Sequence, residues 1–387
     1  MDMKRILGMV LTLLIALGWS AAAETTDTDS EPIDTDALYA EQWAASGADE
    51  LWDDLPDETR DLLISWGMTD FSQVNLTDFQ PQAVLDGLLG LLSDQAAAPL
   101  AAGGLVIGIV LLCALMEGMR QNAGDSQAGH IFSLVGAVAS YAAVLVPLAA
   151  CIHRVCNAVE STSIFMASFV PVYSGVMLAS GQAVSAASYQ TVVLFVAELL
   201  TLLTNRVVVP CLVMSLALGL TGSVTPDLKL NAASSMMNKV AVWLLTLTTS
   251  VFAGLLSLQG IVGAAADSLS GRAIRFSLAS FVPVVGGALS EAFNSVKGCL
   301  SLLRTTMGGI GILVTAIIVL PPLFECILWA FCLSLCSMAA EMFALPLLGG
   351  LLRSAQNVIK TLIGVLAACS LFLIIATTIV TVAGMHI

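Results

Sequence analysis

Charge is scarce in this chain: 11% of its 387 residues are Asp, Glu, Lys or Arg and three are His, too few to coat a soluble domain of this length. Bases are scarcer still at one end. Between Glu24 and Asp94 there are 18 acidic residues and a single base, Arg60, so like-charge repulsion argues against nucleic acid as a ligand of that stretch. From Gln95 onward 11 bases and 9 acids nearly balance, without a polybasic patch. No cysteine precedes Cys113, which excludes a disulfide framework in the acidic stretch. Also absent are a hydrolase nucleophile elbow, a Walker A loop, a zincin helix and a dinucleotide fingerprint. Enzyme chemistry has no foothold, and no cofactor is expected.

What the chain does have is apolar sequence, 58% of residues with a mean hydropathy of +0.93, gathered into stretches near the roughly 20 residues that cross a bilayer. Lys4 and Arg5 precede an apolar run from Ile6 to Leu17, and Ala21-Ala22-Ala23 follows, the layout of a cleavable signal peptide over residues 1–23. Residues 24–98 form an acidic extracytoplasmic segment. Its composition predicts a flexible tether to about residue 50 and helices after that: Pro56, Asp57 and Glu58 suit a first turn, Gly67 a stop, and a second amphipathic helix is expected from about Pro81 to Leu92. Residues 99–387 form a multi-span domain. The fold class is therefore all-α: a polytopic helical membrane protein of about seven to nine transmembrane segments with a small exported acidic helical segment.

The expected spans cover roughly 99–118, 131–151, 164–182, 190–220, 239–259, 306–326, 327–350 and 361–384. The fourth is long for one span, and Asn205-Arg206 with Pro210 interrupts it, so two short segments or one broken helix are both open. Residues 259–304 read as interfacial or re-entrant. An internal repeat is visible near 131–222 and 243–334: Ala167-Ser168-Phe169-Val170-Pro171-Val172 recurs as Ala279-Ser280-Phe281-Val282-Pro283-Val284, Gly175 matches Gly287 beside Gly286, and Pro210 matches Pro322. Pro171, Gly175, Pro283, Gly286 and Gly287 are thus expected helix breaks, which in many transporters mark a translocation centre and elsewhere are packing kinks.

Ionisable groups at membrane depth are the other signal, because a charge facing lipid costs about 3 kcal/mol. Glu198, Arg206, Glu325 and Glu341 are candidate pathway or structural polar residues. Glu198 and Arg206 share a face if their segment stays helical, and Glu325 follows Pro321-Pro322. Cys151-Ile152-His153-Arg154-Val155-Cys156 matches no common zinc spacing, and its thiols read as small apolar groups, so no metal is expected. Gly104 and Gly108 form a small-residue ridge suited to close helix contact within the bundle or with a second copy of the chain.

Ser257-Leu258-Gln259-Gly260, Gly271-Arg272-Ala273 leading through Phe281-Val282-Pro283-Val284-Val285-Gly286-Gly287 to Asn294, and the Gly-rich start of the 306–326 span resemble the stage III sporulation protein AE family. The resemblance implies a multi-pass membrane subunit of the channel or export apparatus that joins mother cell and forespore after engulfment. It would sit in the mother-cell membrane around the forespore, with the N-terminal segment outside the cytoplasm. Implied partners are the other stage III sporulation A-operon proteins, stage II sporulation protein Q and the lipid bilayer; the resemblance transfers no catalytic residue. A stand-alone secondary transporter built on the repeat is the alternative reading, and a non-conducting membrane scaffold the third.

Overall fold

The structure, a computed structural model, describes residues 35–68, 70–71, 81–123, 126–224, 230–281 and 286–383. The expected signal peptide lies outside the described residues. No strand occurs among them. They form α1 (Thr35–Ser46), α2 (Glu50–Asp53), α3 (Asp57–Ser65), α4 (Pro81–Ala123), α5 (Ser126–Ala179), α6 (Ala183–Leu203), a π-turn (Thr204–Val208), α7 (Val209–Val224), α8 (Leu230–Phe281), α9 (Gly286–Met342) and α10 (Pro346–Ala383). Six helices are long and apolar enough to cross a membrane.

The eight expected apolar stretches fall on these six helices, since α5 holds two of them in one rod of 54 residues and α9 most of two in 57. At 1.5 Å per residue such rods run about 80 Å, more than twice a hydrocarbon core of about 30 Å. Apolar windows measure a bilayer's thickness and are silent about where a helix stops. Pro147 and Pro171 both lie inside α5 without ending it. Neighbouring helices can answer the groups that a proline frees, and α5 continues past both prolines to Ala179. Pro171 and Gly175 are therefore not breaks. In the second repeat copy α8 ends at Phe281 and α9 begins at Gly286 and Gly287, while Pro283 lies outside the described residues. The stretch 259–304, read as interfacial or re-entrant, falls on the last part of α8 and the first part of α9.

The candidate spans of α9 and α10 are the most enclosed, 61% buried against 17% for α8. They form a central hairpin around which α4, α5, α6–α7 and α8 pack. Small residues set the closest approaches. Ser215 of α7 and Ser234 of α8 each donate a hydroxyl to the other's carbonyl, at 3.1 and 2.8 Å. A β-carbon on Gly219 would overlap the Ser354 hydroxyl of α10, so these three helices meet at one level. Interhelical bonds of this kind contribute about 0.6 kcal/mol each.

The central hairpin turns at Ala344, held at φ 55° while Leu345 N–H donates to the Ala340 carbonyl at 2.9 Å. A β-carbon is disfavoured in that region by about 1 kcal/mol. Ala344→Gly should accordingly raise the thermal midpoint of detergent-solubilised protein; an unchanged or lower midpoint would show that the turn is not strained.

The acidic segment differs from its expected tether-then-helix layout. α1 occupies residues 35–46, with Trp43 3% exposed and its indole N–H donating to Asp49 at 2.7 Å. Gly47, at φ 74°, ends the helix in the left-handed conformation that glycine adopts freely. Leu51, Leu55, Leu63, Met68 and Phe71 complete a small core, and Trp52 meets Phe71 edge-on at 5.0 Å. Arg60, the lone base, donates to the carbonyls of Trp52 (3.2 Å), Asp53 (2.7 Å) and Leu55 (3.4 Å). The unit rests on α9, where Tyr39 hydrogen-bonds Thr306 and burial raises its phenol above the ordinary range. Composition suggested a tether because the segment's own apolar residues are few; the wall of α9 supplies the missing surface. The carboxylates from Glu41 to Asp61 stay exposed.

α4 carries both the amphipathic stretch from Pro81 and the apolar window Gln95–Gly118 in one unbroken helix, through Pro99. Gly87 lies so close to the Trp66 indole that a β-carbon would overlap it, which presses the end of α3 against α4. Gly104 and Gly108 are exposed with open space beside them, whereas Gly103 faces Cys332 of α9. Of the two contacts expected of this ridge, within the bundle or with a second copy, the outward orientation leaves the second.

Candidate functional site

Of the four ionisable residues singled out, Glu325 is the buried one, 2% exposed and three residues after Pro322 in α9. Its Oε1 accepts from Arg154 Nη2 of α5 at 2.9 Å, and Arg154 is half exposed. One turn before Arg154, the Cys151 thiol meets the Cys326 thiol at 3.4 Å, and both cysteines are free. One turn after Glu325 stands Trp329, 1% exposed. The Trp329 indole also hydrogen-bonds the Glu325 carboxylate, in loose geometry. A buried ion pair offsets its desolvation only when its remaining polar atoms are satisfied; here Trp329 is the group placed to do so. The signal for Arg154 was present in the sequence as the cation in the polar gap between two apolar stretches of α5.

Glu341 pairs with Arg353 across the α9–α10 turn, accepting from Nε at 2.8 Å and also from Nη2. Both partners are exposed, so the pair contributes at most about 1 kcal/mol. Glu198 and Arg206 are exposed and form no pair with each other or with another of the described residues. Arg206 lies inside the π-turn Thr204–Val208, whose wider winding shifts the helical register that would have set the two on one face. Its place has a cause. Pro210 cannot donate to the carbonyl four residues back, that of Arg206, and a wider turn absorbs the lost bond.

The interhelical contacts fix the relative levels of these groups. Tyr173 meets Tyr189 at 5.3 Å near the upper end of α5 and α6, so at 1.5 Å per residue down the two antiparallel helices Arg154 and Arg206 fall within about 5 Å of one level. The Asp267 carboxylate of α8 accepts from Val184 N–H and Ser185 N–H at the start of α6, both at 3.0 Å; counting down from there brings Thr246–Ser250 of α8 to the same level within about one turn. His153, Arg154, Arg206, the Thr-rich turn and Glu325 thus form a polar belt at mid-height, with apolar helix above and below. Sequence reasoning missed Arg154, Asp267 and Trp329, whose roles come from partners far away in the chain.

Above the belt an aromatic column rises along α5, with Phe165 stacked on Phe169 at 5.5 Å and Phe169 on Tyr173 at 5.4 Å. Gly311 of α9 presses directly on the Phe169 ring. The column and the charge pair together fix how α5 lies against α9.

No solved structure matches the chain. A curated relative, stage III sporulation protein AE of Bacillus subtilis (strain 168), is 25% identical over 390 residues, covering 97% of this chain and 96% of its own length. The profile of the stage III sporulation protein AE family matches residues 66–384, which takes in α4 to α10, the charge pair and the belt. With most of its length matched on an all-α membrane architecture, the chain belongs to the stage III sporulation protein AE family.

Proposed function

We propose that this chain is a membrane subunit of the channel or export apparatus between mother cell and forespore, required for endospore development after engulfment. The observation that carries the reading is the family match along nearly the whole membrane bundle. It is supported by the acidic helical unit that rests on the bundle with its carboxylates from Glu41 to Asp61 exposed, a surface suited to partners of opposite charge. In this reading the chain lies in the mother-cell membrane around the forespore, its N-terminal unit outside the cytoplasm. It works with the other stage III sporulation A-operon proteins and stage II sporulation protein Q, and performs no catalysis of its own.

A stand-alone transporter is favoured by one feature, a charge pair with a buried carboxylate three residues past two consecutive prolines in α9. Deleting the gene in its native host separates the two. The expected result is normal vegetative growth with forespores that shrink after engulfment and fail to switch on a late forespore-specific reporter. Normal sporulation with impaired growth on a solute would replace the apparatus with the transporter.

A further inference from the structure

We propose that the outer face of α8 above the polar belt is a self-association surface, on which α8 of a second copy of this chain packs as a parallel coiled coil. The inference goes beyond the apparatus reading and does not depend on it. One bilayer is too thin to cover every apolar surface of this bundle. The apolar window of α4 begins at Gln95 and passes Gly103, which faces Cys332 of α9, so it runs from about the level of Glu325 to about 35 Å below it. The stretch of α8 from Val251 to Leu269 lies on the other side of the belt. Asp267 is bonded to the first turn of α6, which sets this stretch about 10 to 40 Å above Glu325. The acidic unit stands at the same height, because Tyr39 bonds Thr306, about 28 Å above Glu325 along α9. Its exposed carboxylates require water. A hydrocarbon core of about 30 Å that takes in the α4 window therefore ends near the belt, and the upper face of α8 stands outside it.

That face is apolar and uncovered. Val251, Leu255, Leu258, Val262 and Leu269 are 42–67% exposed, and no charged residue occurs from Val240 to Ala266. Together with Ala265, also exposed, they recur at alternating intervals of four and three residues, the two seam positions of a heptad repeat. The side of α8 turned to the bundle is a different one, where Leu256 and Asp267 are buried and Gly263 lies against Ser185 of α6. Gly254, next to the seam, has open space beside it, room for a second backbone to come near. An apolar row of this length in water marks an interaction surface, and its lack of charge offers nothing to a partner that binds through ion pairs. A heptad seam is matched by a helix of the same period, and a second copy supplies one in register. Two copies inserted in one bilayer share their orientation, so a two-fold axis along the membrane normal sets the two α8 helices parallel, each seam residue opposite its own twin.

The test places single added cysteines in the full chain, in its native membranes, and treats them with a short bismaleimide. Leu258→Cys and Val262→Cys should each give a linked dimer of the chain. It should be absent from the unaltered protein, whose nine cysteines are buried or half-buried, and from Leu178→Cys, exposed at about the same height on α5. A charge on the seam should undo the pairing: Leu258→Glu added to Val262→Cys should lower the linked fraction about tenfold or more, since like charges then meet across the two-fold axis. Seam cysteines that link no more than Leu178→Cys would overturn the proposal and leave the face to lipid; a link to a chain of different mass would overturn it in favour of another protein. The two cysteine variants decide between these even where the glutamate variant fails to accumulate. If the deletion strain sporulates normally the apparatus reading fails while the dimer can stand, and if the seam does not link only the dimer falls.

Discussion

Gly311→Val should leave little folded protein in the membrane fraction, and even Gly311→Ala should cost about 1–3 kcal/mol. Gly311 is buried in α9, and a β-carbon there would fall within the Phe169 ring. That ring cannot slide, because it is held between Phe165 and Tyr173 in the stack. The adjustment must come from the α5–α9 spacing, which also sets the Arg154–Glu325 distance. Thermal unfolding in detergent measures the loss, and a second change tests its cause. Phe169→Leu removes the ring's outer edge, so combined with Gly311→Ala it should recover part of the stability lost by Gly311→Ala alone. Strict additivity of the two changes would show that the glycine matters for some reason other than this contact.

The second large effect concerns the charge pair. Arg154→Met should destabilise the protein by about 3 kcal/mol, the lower part of the range for stranding one member of a buried pair, because Arg154 itself is half exposed. Replacing both partners, Arg154→Met with Glu325→Leu, should restore most of that stability, since no buried charge remains. Forespore development should still fail in the double variant, whose bundle is sound but lacks the ion pair. If the double variant sporulates, the pair is a structural fastening alone. If it is no more stable than the single variant, the stranded carboxylate is not the source of the loss.

How far the sequence went can be judged residue by residue. Membrane embedding was legible because it depends on local composition, and so was the helical character of every long segment. Helix ends were not. A proline or an arginine inside an apolar run looks like a boundary, yet α5 passes through Pro147, Arg154 and Pro171, supported by neighbours that no window of sequence contains. Glu325 stood out as a charge in the wrong solvent, but its partner lies on a different helix, and ion pairing across a bundle depends on packing that single-chain periodicity does not encode. Glu198 and Arg206 were matched by counting 3.6 residues per turn. The π-turn that holds Arg206 follows from Pro210, a residue that was noticed as an interruption without its effect on register being worked out. In the acidic segment α1 went unseen because the surface that orders it belongs to α9.

The continuity of α4 carries a mechanical consequence. The Trp66 indole bears on Gly87, and from that contact to the start of the apolar window at Gln95 there is only unbroken helix, about 12 Å of it. A helix resists bending over so short a distance. Whatever seizes the acidic unit therefore acts on a pushrod: a displacement of α3 enters the bundle along α4 undamped and arrives at Gly103, where α4 touches Cys332 and Cys336 of α9, two turns past Glu325. Pull from outside and the Arg154–Glu325 pair inside would then load the same helix from two directions.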